Sequence, residues 1–326
     1  SAQTIPYAKS YLTIVIPGSV FVNLSYSFSG VMRAAGYPQK SMYTILIGVV
    51  LNVILDPIFI FGLDMGIKGA AIATVISMFI SSVFVMTHFC NPKHAVHFRR
   101  DCFRPKWRII RNIVSIGMAP FAMNFAASIV NVIMNNQLVR EGGDLAIGAF
   151  GIINSFGILV VMFVLGICQG MQPIIGYNYG AQKYKRMKDT FLLTVRIATL
   201  IITIGFVAFE LMPGILVKAF TTDPELARMA KHGMRLAYML LPVVGMQMVT
   251  SIFFQSISKA AKATFMGLSR QVIFLIPSLY FFSHWFGLTG VWLSLPCADL
   301  LSAIVAIFLL RSERRIFYPR SVTRRA

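Results

Sequence analysis

Nine apolar stretches, each long enough to cross a bilayer, leave this 326-residue chain few folds to choose from. They cover 7–32, 42–62, 67–88, 109–139, 145–171, 191–217, 229–257, 264–282 and 288–310. A crossing helix needs about 20 residues at roughly 1.5 Å each. Backbone N–H and C=O groups find no water in hydrocarbon, so runs of this length must satisfy them internally, as helices do. With 57% hydrophobic and only 13% charged residues, a soluble or disordered chain is excluded. The pattern predicts an all-α integral membrane protein.

A formal net charge of +19 raises the question of nucleic acid, and the placement of the charge answers it. The basic residues cluster in the short joints between apolar runs, often without aromatic interleaving, and on no helix that could enter a groove, so the expected partner is membrane lipid and not nucleic acid. Of the 30 Lys and Arg, 22 fall on the side of the 91–108 segment, seven on the opposite side, and Arg196 inside a span. The positive-inside rule then puts that segment and the C-terminus in the cytoplasm, with the plasma membrane as the location. Cys90, Cys102, Cys168 and Cys297 are scattered and read as free thiols. Residues 1–7 are polar and the first apolar run is already of spanning length, which reads as a span and not a cleavable leader.

The 91–108 segment carries Pro92 and Pro105 and is the longest joint, so it is the expected domain boundary. It separates a three-helix unit at 1–90 from a six-helix unit at 109–311, followed by a basic tail at 312–326. An internal repeat relates the two units. Residues 17–34 align with 242–260, Pro57 with Pro277, and Gly66-x-x-Gly69 with Gly287-x-x-Gly290, in the same order and orientation. Parallel repeats of this kind typify transporters built from two halves about an axis along the membrane normal. With three spans in one half and six in the other, three further helices are expected ahead of Ser1.

The sharpest chemical signal is Asn52-x-x-x-Asp56-Pro57 inside the second run. Residues four apart share a helix face, so amide and carboxylate point the same way. Pro57 has no N–H to give the Val53 carbonyl, leaving another oxygen nearby. An acid in mid-membrane costs about 2.5–3.5 kcal/mol on insertion scales and is functional by default. The repeat sharpens this, because the aligned positions are Val272 and Ile276 beside a retained Pro277. Thr74 could add a hydroxyl to the same cluster, or simply bond its own backbone. Asp299, well inside the last run, admits two readings: a second protonation site or a structural ion pair. Of the many membrane amides, Asn124, Asn131, Gln169 and Gln247 are candidates to line a substrate pocket. With 18 Met and abundant aromatics, such a pocket would adapt to varied ligands.

Three segments together carry a family resemblance: Asn52-x-x-x-Asp56-Pro57, Gly66-x-x-Gly69-Ala70-Ala71-x-Ala73-Thr74, and Gln169-Gly170-x-Gln172-Pro173-x-x-Gly176-Tyr177-Asn178-Tyr179-Gly180-Ala181. The chain resembles the multidrug and toxic compound extrusion (MATE) family over nearly its whole length, matching helices four to twelve of a twelve-helix, six-plus-six fold. The resemblance implies a monomeric secondary transporter, exporting amphipathic or cationic organic compounds by antiport against protons or sodium through alternating access. It also implies a cation site made of Asn52, Asp56, Thr74 and an acid from the family's first helix, with no other cofactor and no metal beyond sodium at Asp56. Acids that another branch carries in its seventh and tenth helices are absent from the matching spans here.

Two other functions are weighed against this one. A lipid-linked oligosaccharide flippase of the same wider superfamily would need a basic cavity for pyrophosphate, and a membrane-embedded enzyme would need a nucleophile or metal constellation. His88, His94, His97, His232 and His284 all fall near span ends or loops without metal spacing, and no enzyme is expected.

Overall fold

The computed structural model describes residues 5–99 and 104–313. Cys102 and nearly all of the basic tail lie outside them. Every regular element among the described residues is helical, and the chain divides after Trp107 into two compact units.

The first unit contains α1 (Ile5–Ala34), α2 (Pro38–Pro57) and α3 (Gly66–Cys90), with a π-helical turn at Ile58–Gly62 closing α2. Small residues let these helices approach. The buried face of α3 includes Gly69, Ala71, Ala73, Ser77 and Ser81, and a Cβ on Gly18 of α1 would meet Val75 Cγ2 at 2.5 Å. The outward face of α2 exposes Val49 and Val53, and the turn after it exposes Phe61, residues that hydrocarbon accepts. At the far end of α3, the His94 ring stacks on His88 at 3.9 Å, fastening the start of the 91–108 segment to this unit.

The second unit runs from α4 (Trp107–Gly180) through α5 (Tyr184–Leu211), the short α6 (Pro213–Lys218), α7 (Pro224–Tyr238), α8 (Leu241–Ser256) and α9 (Ala260–Leu268). A π-helical stretch at Ser269–Leu275 then leads into α10 (Ile276–Ser312). Its core is the larger, gathering Leu138, Ile153, Val164, Ile202, Phe253, Phe254 and Trp292 at essentially full burial.

Where the hydropathy pattern marks nine runs, the described residues hold six helices long and apolar enough to cross a membrane, or seven counting α7 and α8 as one span bent by 53°. The difference lies in α4 and α10. A straight 74-residue helix would extend roughly 110 Å, more than three times the hydrocarbon thickness. Each of these helices is broken at a glycine with positive φ, Gly143 (65°) in α4 and Gly287 (55°) in α10. The latter break is a sharp turn, because a Cβ on Gly290 would strike the backbone of Phe282, eight residues back.

The repeat is visible in this geometry. Gly66 has φ 53° and Gly287 55°, the left-handed region that favours glycine. Three residues on, a Cβ at Gly69 would collide with the Phe59 carbonyl at 2.5 Å, as one at Gly290 would with that of Phe282. The aligned prolines differ here, Pro57 leading into a π-helical turn and Pro277 lying in α10 just past one. One tight turn, with the same two glycines, is thus built twice.

Candidate cation site and its cavity

In the first unit, the Asn52 side-chain amide donates to Asp56 Oδ1 at 3.1 Å and to Thr74 Oγ1 at 3.4 Å. The first contact spans one turn of α2; the second bridges α2 to α3. The Thr74 hydroxyl in turn donates to the Ala70 carbonyl at 2.8 Å. Thr74 therefore bonds its own backbone and joins the cluster as well. All three side chains are half-buried. Among the described residues, no Lys, Arg or His comes within 4.0 Å of Asp56. An acid whose neighbours are all neutral can accept a mobile cation.

Asn52 and Thr74 also line a cavity of about 380 Å3 between α1, α2 and α3, together with Ser25, Tyr26, Ser77, Met78 and Ser81. A hydroxyl chain runs along its wall, Ser25 lying 2.9 Å from Ser81, whose Oγ donates to the Thr44 carbonyl at 2.6 Å. Among the described residues, none that lines it is basic. The serines escape a reading of the sequence because isolated hydroxyls in membrane helices usually serve packing. The signal that could have found them is Ser77 and Ser81, four apart on the face of α3 that carries Thr74.

Asp299 has a different setting. Its carboxylate is buried in α10 and accepts from Arg270 Nε at 2.6 Å, with Arg270 in the π-helical segment that precedes α10. Of the two readings open to Asp299, the observed contact is the ion pair. Counting charges between spans puts Arg270 at a membrane surface, but its side chain reaches inward to this acid. The four amide candidates are dispersed: Asn124 and Asn131 hold exposed positions on the first limb of α4, Gln169 is half-buried on the second, and Gln247 is buried in α8 with its Oε1 unpartnered.

The sequence model of the MatE family matches residues 1–58 and 120–281. The multidrug export protein MepA of Staphylococcus aureus (strain MSSA476) is 30% identical over 314 residues, which is 95% of this chain and 69% of that one. Among solved structures, the MATE multidrug transporter DinF-BH superposes with a TM-score of 0.88 at 35% identity, covering 98% of this chain and 71% of the other. A MOP superfamily transporter from Pyrococcus furiosus Vc1, for which a binding pocket of reverse polarity suggests a different function, is 23% identical with a TM-score of 0.86, over 94% and 70% of the two chains. That last likeness is one of fold, and a shared fold does not choose a substrate.

Proposed function

Because this chain belongs to the MatE family of multidrug transporters, we propose that it exports amphipathic and cationic organic compounds by antiport, with Asp56 as the coupling acid. The coarse class is that of its relatives: a multi-pass membrane transporter for drug efflux and not an enzyme. The finer reading rests on one observation, the Asn52 amide held between Asp56 and Thr74 at the edge of a cavity.

An ionised carboxylate held away from water is disfavoured unless a cation compensates it. Asp56 has only the neutral Asn52 amide, itself bridged to the Thr74 hydroxyl, beside it, so either a proton or a sodium ion would neutralise it in place. Loading the site would favour one packing of α2 against α3 and emptying it another. The cation can drive transport by no more than its difference in affinity for those two packings. The cavity wall supports export of cations over a pyrophosphate-linked substrate, since hydroxyls, Tyr26 and Met78 line it and, among the described residues, no Lys or Arg does. In this reading the protein acts as a monomer in the plasma membrane with its C-terminus in the cytoplasm.

The test is efflux of a fluorescent cation from vesicles under imposed proton and sodium gradients, paired with equilibrium drug binding. Asp56→Asn should abolish gradient-driven efflux while leaving drug affinity within about tenfold, or roughly 1.4 kcal/mol. Unchanged coupling in that variant would remove Asp56 from the mechanism.

A further inference from the structure

Within the second unit, α5 carries the chain about 42 Å from the basic run around Lys183–Lys188 to α6 and α7. At that far end two adjacent cavities share Lys231 and Pro224. One, of about 530 Å3, is lined by Lys218, Thr221, Thr222 and Ala227 besides the shared pair. The other, of about 280 Å3, adds Arg228, His232 and Arg235. Among the described residues, no acid lines either.

The nearby acids are occupied or off the walls. Asp223 caps α7, accepting from the N–H groups of Glu225 and Leu226 at 2.8 and 3.3 Å. Glu210 faces Arg235, whose guanidinium also donates to the Glu210 carbonyl. Glu225 is exposed and lines neither cavity. Among the described residues, Lys218, Arg228 and Lys231 have no acidic partner within 4.0 Å. Helical spacing puts Arg228, Lys231, His232 and Arg235 on one face of α7. The opposite face buries Ala230, Gly233, Met234 and Ala237. With that face packed into the protein, the cations of α7 are turned away from its core.

Beside the cationic cavities, the chain exposes large apolar side chains. Leu211, Met212, Ile215 and Phe220 are all more than half exposed, and Lys218 lies among them in sequence. A soluble anion would use the cations and leave this belt idle. A molecule with a phosphate at one end and acyl chains at the other would use both.

We propose that Lys218, Arg228 and Lys231 bind the phosphate of an anionic phospholipid, whose acyl chains lie along the Leu211–Phe220 belt. The site is independent of Asp56 and requires no particular coupling ion. The unpaired cations supply the attraction, and the apolar belt makes the ligand a lipid.

Native mass spectrometry of the detergent-purified protein, titrated separately with phosphatidylglycerol, phosphatidylcholine and inorganic phosphate, tests this. Phosphatidylglycerol should bind at least about tenfold more tightly than phosphatidylcholine, and the Arg228→Gln/Lys231→Gln protein should lose about thirtyfold of that affinity. Gln is a good helix former, so α7 should persist in the variant. Lys231→Arg, which keeps the charge, should retain binding, as should the charge-matched Lys185→Gln/Arg186→Gln control at the opposite end of α5. Equal binding of the two lipids, unchanged phosphatidylglycerol affinity in Arg228→Gln/Lys231→Gln, or phosphate binding as tight as that of phosphatidylglycerol would each overturn the proposal.

Discussion

Asp56 and Asp299 both sit within apolar helices, one in each unit, and their neighbours differ. Asp299 faces the guanidinium of Arg270 at 2.6 Å, whereas Asp56 faces the amide of Asn52, with no cation within 4.0 Å among the described residues. A carboxylate with a fixed cationic partner is already neutralised, and its ion pair ties the Ser269–Leu275 segment to α10. A carboxylate with only neutral partners still needs a charge from outside. Two units that share a turn of two glycines and a proline thus give their membrane acids different partners, a guanidinium in one and an amide in the other.

Substitution of the two acids should produce the largest contrast. Asp56→Asn is expected to abolish gradient-driven efflux at nearly unchanged thermal stability. Asp299→Asn should keep coupled efflux per folded molecule but lose about 2–3 kcal/mol of stability, less than for a fully buried pair because the Arg270 side chain stays 34% exposed. Efflux normalised to protein abundance, read beside a thermal melt, checks both. Equal loss of coupling in the two variants would erase the distinction. Replacing the pair together, as Arg270→Met/Asp299→Leu, should recover most of the stability, since apolar packing often serves as well as a buried ion pair.

The shared turn offers a symmetrical test of smaller size. Gly69→Ala and Gly290→Ala should each destabilise by about 1–3 kcal/mol, because the new methyl group meets backbone and not a movable side chain. Gly290 should suffer more, its neighbour being nearer. If melting temperatures showed one glycine to be tolerant, the two turns would not be equivalent. Asn52→Ala should weaken cation coupling by about 1 kcal/mol, since it removes one neutral partner and leaves the carboxylate. The cation concentration giving half-maximal efflux reports this, and a loss as complete as that of Asp56→Asn would mean that Asn52 does more than solvate the site.

The smallest effect concerns Glu313, just past the end of α10. It accepts from Lys259 at 2.6 Å and from Lys262, and these hydrogen bonds hold its carboxyl below the ordinary value. The stabilisation is present above the unfolded carboxyl range and is lost as pH falls through the depressed folded value. Melts from neutral to acid pH should therefore show Glu313→Gln converging on the unsubstituted protein at the acid end, with a difference of at most about 1 kcal/mol at neutrality. A gap that widened on acidification would contradict the sign.

Much of this was legible without coordinates. The lengths of the apolar runs specify membrane helices because hydrocarbon leaves the backbone no other partner. Helical period alone puts Asn52 and Asp56 on one face, and the spaced glycines and prolines reveal the repeat because those residues have backbone roles that others cannot fill. These are local properties, carried within a few residues of the chain. What stands opposite a side chain is not local. Thr74 is 22 residues from Asn52, and Arg270 is 29 from Asp299, so only the packing of one helix on another decides that the first pair meets and that the second forms an ion pair. The charge count placed Arg270 at the surface because it scores position along a helix, while a long flexible side chain follows the nearest opposite charge. Sequence determined which runs are apolar enough to cross a membrane; the tertiary structure decided which of the two acids meets a cation.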